Sequence, residues 1–223
     1  ADLRVRQARV TAGLDLASDD VASATDTTRA GRPVEVGRGR YVGGSAYTQG
    51  GVYAYYRQRL GASDRWLFEA GGRLAFVSAR APVDGMNPSL DHAYLAPVAS
   101  VGGRVLVAPG VSLMASVLGG FRAPNLDDYQ SLGSGARSFD VPNNALGPER
   151  SWTAEAGVRV IRPRWSMTAF VYGSRLTGMV VRVPSTFNGM AMIDGRRVYT
   201  RANASEGTLW GAELDAGYRP PTG

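Results

Sequence analysis

The side chains able to do chemistry are few and far apart. His92 is the one histidine in 223 residues, and cysteine is absent. That excludes a thiolate metal site, a cysteine nucleophile and a disulfide framework, and also a centre built from several imidazoles. A Ser–His–Asp triad would have to run through His92, which the sequence places in a Gly-, Pro- and Asp-rich loop over 81–93. Acidic groups stand at Asp19-Asp20, at Asp26 and at Asp127-Asp128. Oxygen-rich loops can hold a hard cation, but EF-hand spacing is missing, and solvated acidic loops are the expectation. Arg38 and Arg40 are placed to meet an anion. Neither a catalytic set nor a resident metal or cofactor set emerges, so the chain is not expected to be an enzyme. All 25 basic residues are arginine and the net charge is +6. They are scattered without an interleaved aromatic patch, which argues against nucleic acid as a partner.

The elements that must position these residues are strands. Period-2 alternation dominates. Over 151–160, Ser151, Thr153, Glu155, Gly157 and Arg159 share one face, while Trp152, Ala154, Ala156, Val158 and Val160 share the other. Over 209–218, Gly211, Glu213, Asp215 and Gly217 oppose Trp210, Ala212, Leu214, Ala216 and Tyr218. About eight strands are predicted, near 3–17, 47–60, 65–80, 94–107, 111–122, 151–161, 165–183 and 198–219, the last interrupted near Asn203. Most exceed the usual ~5–6 residues of soluble sheets and reach the ~9–11 tilted residues that cross a bilayer. No stretch approaches the ~18 apolar residues of a transmembrane helix.

Connections alternate in length. The segments 61–64, 108–110 and 162–164 are tight turns, whereas 18–46, 81–93, 123–150 and 184–197 are long and rich in Gly, Pro, Asp, Asn and Ser. Short turns at one rim and long loops at the other are what an antiparallel transmembrane β-barrel requires. Trp66, Trp165 and Tyr218 fall at the short-turn rim and Trp152 at the opposite one, as two aromatic girdles would. A soluble sandwich with ordinary core aromatics is the competing reading. Mid-strand charges such as Glu69, Arg73, Glu155 and Arg159 are costly against lipid, so they must face an aqueous or plugged lumen. Arg122 alternates away from Phe121 and Ala123 toward that lumen, where a salt bridge to a strand carboxylate is its expected role. Eight strands close only a narrow barrel. So much inward charge, with strand-like sequence at both ends, predicts an arc of a larger barrel.

Residues 121–127, Phe-Arg-Ala-Pro-Asn-Leu-Asp, are followed by Val141-Pro142-Asn143-Asn144-Ala145-Leu146-Gly147-Pro148-Glu149-Arg150-Ser151, and then by a strand carrying Glu155 and Gly157. Asn203-Ala204 precedes Gly211-Ala212-Glu213-Leu214, and "TQGGVYAY" runs from Thr48 to Tyr55. In order and spacing this resembles the C-terminal barrel region of TonB-dependent outer-membrane receptors, over about residues 35–220. The resemblance implies an all-β fold, a partial barrel domain over 1–223 belonging to a 22-stranded barrel, and a plug absent from this chain. It further implies the outer membrane of a Gram-negative bacterium, contact with lipid and lipopolysaccharide, and energy from the TonB–ExbB–ExbD complex acting through the plug. The cargo it implies is a scarce nutrient, with an iron–siderophore complex the default ahead of haem or cobalamin. A passive, porin-like diffusion barrel is the alternative. Haem receptors of the family carry a loop histidine between the two motifs, and residues 125–141 here hold none. Tyr129 and Arg137 are the polar anchors in that loop. With Arg122 and His92 they form the candidate ligand-binding set.

Overall fold

The computed structural model describes residues 2–5, 8–29, 32–85, 89–134, 137–204 and 206–220, with backbone alone for 2–5, 25–29, 32–38 and 134. In chain order the elements are β1 (Asp2–Val5), β2 (Ala8–Val21), β3 (Ala24–Arg29), β4 (Arg32–Arg38), β5 (Ser45–Leu60), β6 (Trp66–Ala81), β7 (Leu90–Ala108) and β8 (Val111–Arg122). They continue with α1 (Leu126–Gln130), β9 (Gly133–Ser134), β10 (Ser138–Val141), β11 (Glu149–Ile161), β12 (Trp165–Thr177), β13 (Val180–Pro184), β14 (Met192–Ile193), β15 (Arg196–Asn203) and β16 (Glu206–Tyr218).

A 9-stranded antiparallel sheet runs β1-β2-β5-β6-β7-β8-β11-β12-β16. It is an up-and-down meander, an arc of a barrel. Its register sorts the side chains. Trp152 lies opposite Gly119 and Arg175, and Val158 opposite Leu113 and Ala169, all on one face. Glu155 lies opposite Ser116 and Tyr172 on the other. The apolar face is the open one: Trp152 is 60% and Leu214 71% exposed. No second layer covers these side chains among the described residues, so the sandwich reading fails. An apolar face of this extent left bare needs hydrocarbon as its solvent.

The expected and observed strands differ most in three places. The segment 3–17 is a hairpin, β1 with β2, and β2 runs on to Val21. The segment 165–183 breaks where Gly178 takes φ 67; a Cβ there would fall 2.8 Å from the Pro148 carbonyl oxygen, so only glycine fits the corner. The interruption expected near Asn203 is where β15 ends and β16 begins. Freed from the long sheet, β13 and β15 join β10 and β9 in a second sheet, with β14 on β15. The first long loop carries the β3–β4 hairpin. Gly43-Gly44 form a turn before β5, Gly44 at φ 79.

The buried cluster sits at the long-loop end of the inner face. Ala79, Ala81 and Leu90 of β6 and β7 pack against Val42, Leu126, Tyr129 and Leu146 from the loops. The loop between β8 and β11 thus folds inward over the inner face instead of standing out in solvent.

Candidate functional site

Several inward-facing charges have partners across strands. Arg73 on β6 reaches over β5 to Asp15 on β2, at 2.5 and 2.8 Å. The gap it crosses is Gly51, where a Cβ would fall 2.9 Å from the Arg73 guanidinium. Tyr55 donates to Glu69 at 2.5 Å, and Arg57 stands 3.2 Å from the same carboxylate. Ser116 donates to Glu155 at 2.8 Å. Pairing offsets the desolvation that an isolated charge would suffer here.

Above them the loops are tied by an ion network. Arg122, at the end of β8, donates to Glu149 at 2.6 and 2.9 Å and to Asp128 at 2.8 Å. This is the strand carboxylate and inward direction expected from the alternation. Glu149 also accepts from the backbone N–H of Val180 at 2.7 Å. Asp127 takes Arg40 at 2.9 Å, Arg201 at 2.5 Å, Ser131 at 2.8 Å and the Tyr41 hydroxyl at 3.1 Å. Arg201 also stands 3.1 Å from Asp128, and Arg182 bonds Asp140 while lying over the Tyr199 ring. Burial opposes ionisation of Asp127, but its bonds from Ser131 and Arg40 and the charge of Arg201 outweigh it. The carboxyl is held below its ordinary 3.8. The solvated acidic loop expected at Asp127-Asp128 is therefore an ion-paired junction with Asp128 buried and Asp127 half-buried, because α1 turns both carboxylates toward arginines from distant elements.

The helix that does this starts on a capping box. Asn125 accepts from the Asp128 N–H at 2.9 Å, and Asp128 accepts from the Asn125 N–H at 3.1 Å. The spacing of Asn125 and Asp128 was the available signal for it. Asn143 accepts from the Ala145 N–H at 2.9 Å and donates to the Arg201 carbonyl at 2.8 Å, which gives the motif asparagine its turn role. Asn203 clasps Gly147 N–H and carbonyl at 2.8 and 3.0 Å and the Gly178 carbonyl at 2.6 Å.

The four candidate residues fall in different places. Tyr129 is 0% exposed. Its hydroxyl lies 2.8 Å from that of Tyr94 and donates to the Leu146 carbonyl at 3.2 Å. Burial first, and the Tyr94 hydroxyl second, push its ionisation far above the ordinary 10.0. His92 lies on β7, not in the loop expected over 81–93. Its ring stacks on Tyr129 at 5.2 Å, and Nε2 donates to the Asn144 carbonyl at 2.7 Å. Because β7 starts at Leu90, ahead of the strand expected from 94, the histidine becomes a packing partner of the inward-folded loop. Arg122 lines an inner-face cavity of 340 Å³ with Asp15, Tyr47, Gln49 and Arg73. Arg137, in the same loop, is exposed. Arg40 is tied to Asp127, and the Arg38 side chain lies outside the described residues. Among the described residues no three His, Cys, Asp or Glu side chains gather as a metal site. What the arrangement offers is a polar, arginine-lined inner surface under a folded loop.

A family described as TonB dependent receptor-like, beta-barrel matches residues 2–220. Curated protein sequences give no match. Among solved structures, the chain is similar to a double mutant of the Serratia marcescens hemophore receptor HasR in complex with its hemophore HasA and heme. The TM-score is 0.70 at 13% identity, over 96% of this chain and 40% of that one. It is similar to the FrpB iron transporter from Neisseria meningitidis, F3-3 variant, with TM-score 0.69 and 16% identity over 99% of this chain and 32% of that one. It is also similar to the copper transporter OprC, with TM-score 0.75 and 14% identity over 99% of this chain and 34% of that one. At such identities the likeness is one of fold. The chain spans well under half the length of these structures.

Proposed function

The chain belongs to the TonB-dependent receptor β-barrel family, and from that premise we propose that it is the partial barrel domain, over 1–223, of an outer-membrane receptor for active uptake of a scarce nutrient. The cargo is an iron–siderophore complex. A plug domain elsewhere in the same protein engages TonB–ExbB–ExbD, and the barrel supplies the aqueous path and the loop contacts. Arg122, from the inner cavity, and Arg137, from the exposed part of the loop, contact the anionic groups of the cargo. Tyr129 and His92 hold the loop that presents them.

The observation that carries this reading is the polarity of the sheet. Trp152 and Leu214 lie bare on the outward face, while Arg73–Asp15 and Arg122–Glu149 are paired on the other. Guanidinium groups suit ligands rich in carboxylate or catecholate oxygen. The test uses the gene in its host. Its deletion is expected to abolish growth on one ferric siderophore under iron limitation, and labelled uptake is expected to stop when the proton gradient is collapsed. Uptake that survives the collapse would establish the passive porin instead.

A further inference from the structure

The outward face of β5 to β8 carries a groove near the short-turn rim. Its floor is the row in which Phe68, Gly103 and Ala115 are register partners, and its rim end is the row of Trp66, Val105 and Leu113. Gly103 has no side chain and Ala115 only a methyl, so a hollow of 540 Å³ opens beside Trp66, Phe68 and Leu113. The face stays low deeper in the sheet. Ala70 is the next outward residue after Phe68 on β6, and beyond it a second hollow of 240 Å³ lies over Ala54, Gly72, Ala99 and Gly119. The two hollows lie in line along β6 and β7. A polar side chain stands beside the first. Gln58 is the register partner of Phe68 and lines the groove. Its amide oxygen accepts from the Tyr56 hydroxyl, and its amide N–H groups have no partner among the described residues. On a face whose solvent is hydrocarbon, an unmet N–H is costly. Arg104, the charged residue of the lining, belongs to the inner row with Leu67 and Met114, and its guanidinium stands 3.5 Å from the Asp64 carbonyl.

We propose that this lane seats one acyl chain of a glycerophospholipid, whose ester carbonyl accepts a hydrogen bond from the Gln58 amide. The inference rests on the membrane-spanning reading above. Trp66 marks the level where hydrocarbon meets headgroup. Gln58 lies one row inside it, about 5 Å deeper, where the ester linkage of a lipid sits. A chain leaving that ester runs down the lane toward the bilayer centre. In hydrocarbon the groove alone gives little preference, because one alkyl chain packs much as another does. The amide supplies the discrimination. A free fatty acid would bring a carboxylate to a groove whose charged lining residue turns away, at a large desolvation cost. A neutral ester meets the amide without that cost, and this selects the esterified lipid as occupant.

The test uses the full-length protein, delipidated in an alkyl maltoside and titrated separately with diester phosphatidylcholine, its dialkyl-ether analogue and palmitate, with bound lipid read by native mass spectrometry. The diester is expected to be retained about fivefold over the diether. Gln58→Leu is expected to remove that preference. Ala115→Leu, which fills the groove, is expected to lower diester retention by about fivefold or more. Ala216→Leu, on the outward face of β16, is expected to leave it unchanged. Equal retention of diester and diether by the unmodified protein, or a preference that survives Gln58→Leu, overturns the proposal. An effect of Ala115→Leu no larger than that of Ala216→Leu also overturns it, because the chain then coats the face at large. Stronger retention of palmitate than of the diester does the same. Heat-dependent gel migration reports the intact barrel separately in each variant. Its absence in the unmodified protein would remove the membrane-spanning reading itself, whereas its presence without ester preference removes only this inference.

Discussion

Asp127 is the residue on which the long-loop cap turns. It joins Arg40 from the first loop, Arg201 from β15, and Tyr41 and Ser131 beside them. Replacing it with asparagine removes the charge while keeping the shape. With the carboxylate about one-third exposed, solvent screening limits the cost to about 1–2 kcal/mol. Faster proteolytic cleavage within 123–148 of the full-length protein would register it, and unchanged cleavage would deny Asp127 its role. The acid response follows from the sign of its shift. A carboxyl held below its ordinary 3.8 when folded contributes stability that is fully present above that value and is lost as pH falls below it. The cap should therefore be indifferent to pH near neutrality and open in strong acid. At Tyr129 the packing dominates. Tyr129→Ala should cost about 3–5 kcal/mol and Tyr129→Phe about 1 kcal/mol, both read from thermal unfolding. Arg137→Ala should leave unfolding untouched and weaken cargo affinity, since its side chain is exposed. An unchanged affinity would remove it from the binding set.

Among the elements, the strands could be read in advance and the loop fold could not. Strict alternation over 151–160 and 209–218 left one register that separates Trp152 and Leu214 from Glu155 and Glu213. Arg122 was legible for the same reason, since parity alone sends it inward beside Glu149. The strands were misjudged at their ends, where Gly178 and Asn203 redirect the chain into the second sheet through contacts with Pro148 and Gly147. Those contacts link segments tens of residues apart and leave no local mark. Asp127 and Asp128 read as solvated because their arginines lie on β8, β15 and the first loop. The capping residues Asn125 and Asp128 were visible, but a helix of one turn carries no periodicity to announce it. Facing also sets a test. Val171, on the outward face and opposite Ala156 and Ala212, should not tolerate a charge. Val171→Arg should cost roughly 2–4 kcal/mol when the full-length protein is unfolded from phospholipid vesicles. Leu209→Arg, on the inner face of β16, should cost under about 1 kcal/mol. Equal costs would mean that the two faces do not meet different solvents.

For the molecule as a whole, the decisive feature is an open sheet. The order ends with β1 at one side and β16 at the other, and β16 takes β12 as its partner along 206–218. Its far edge presents a row of backbone donors and acceptors with no ladder among the described residues. In water that row templates association, and in hydrocarbon each unmet group costs several kcal/mol. Inner pairing cannot repair this. Arg73–Asp15 and Arg122–Glu149 hold neighbouring strands, but they lie across the sheet and not along its edges. The same exposed Trp152, Leu214 and Trp210 that suit a bilayer would drive aggregation if the arc were released alone. The 223-residue chain refolded by itself into detergent or vesicles is therefore expected to form large oligomers, while the full-length protein forms a closed, heat-modifiable barrel. Sedimentation distinguishes the two. A monodisperse species of 23.7 kDa that inserts and resists protease would mean that the arc closes on itself as a small barrel. The need for additional strands to complete the wall would then be refuted.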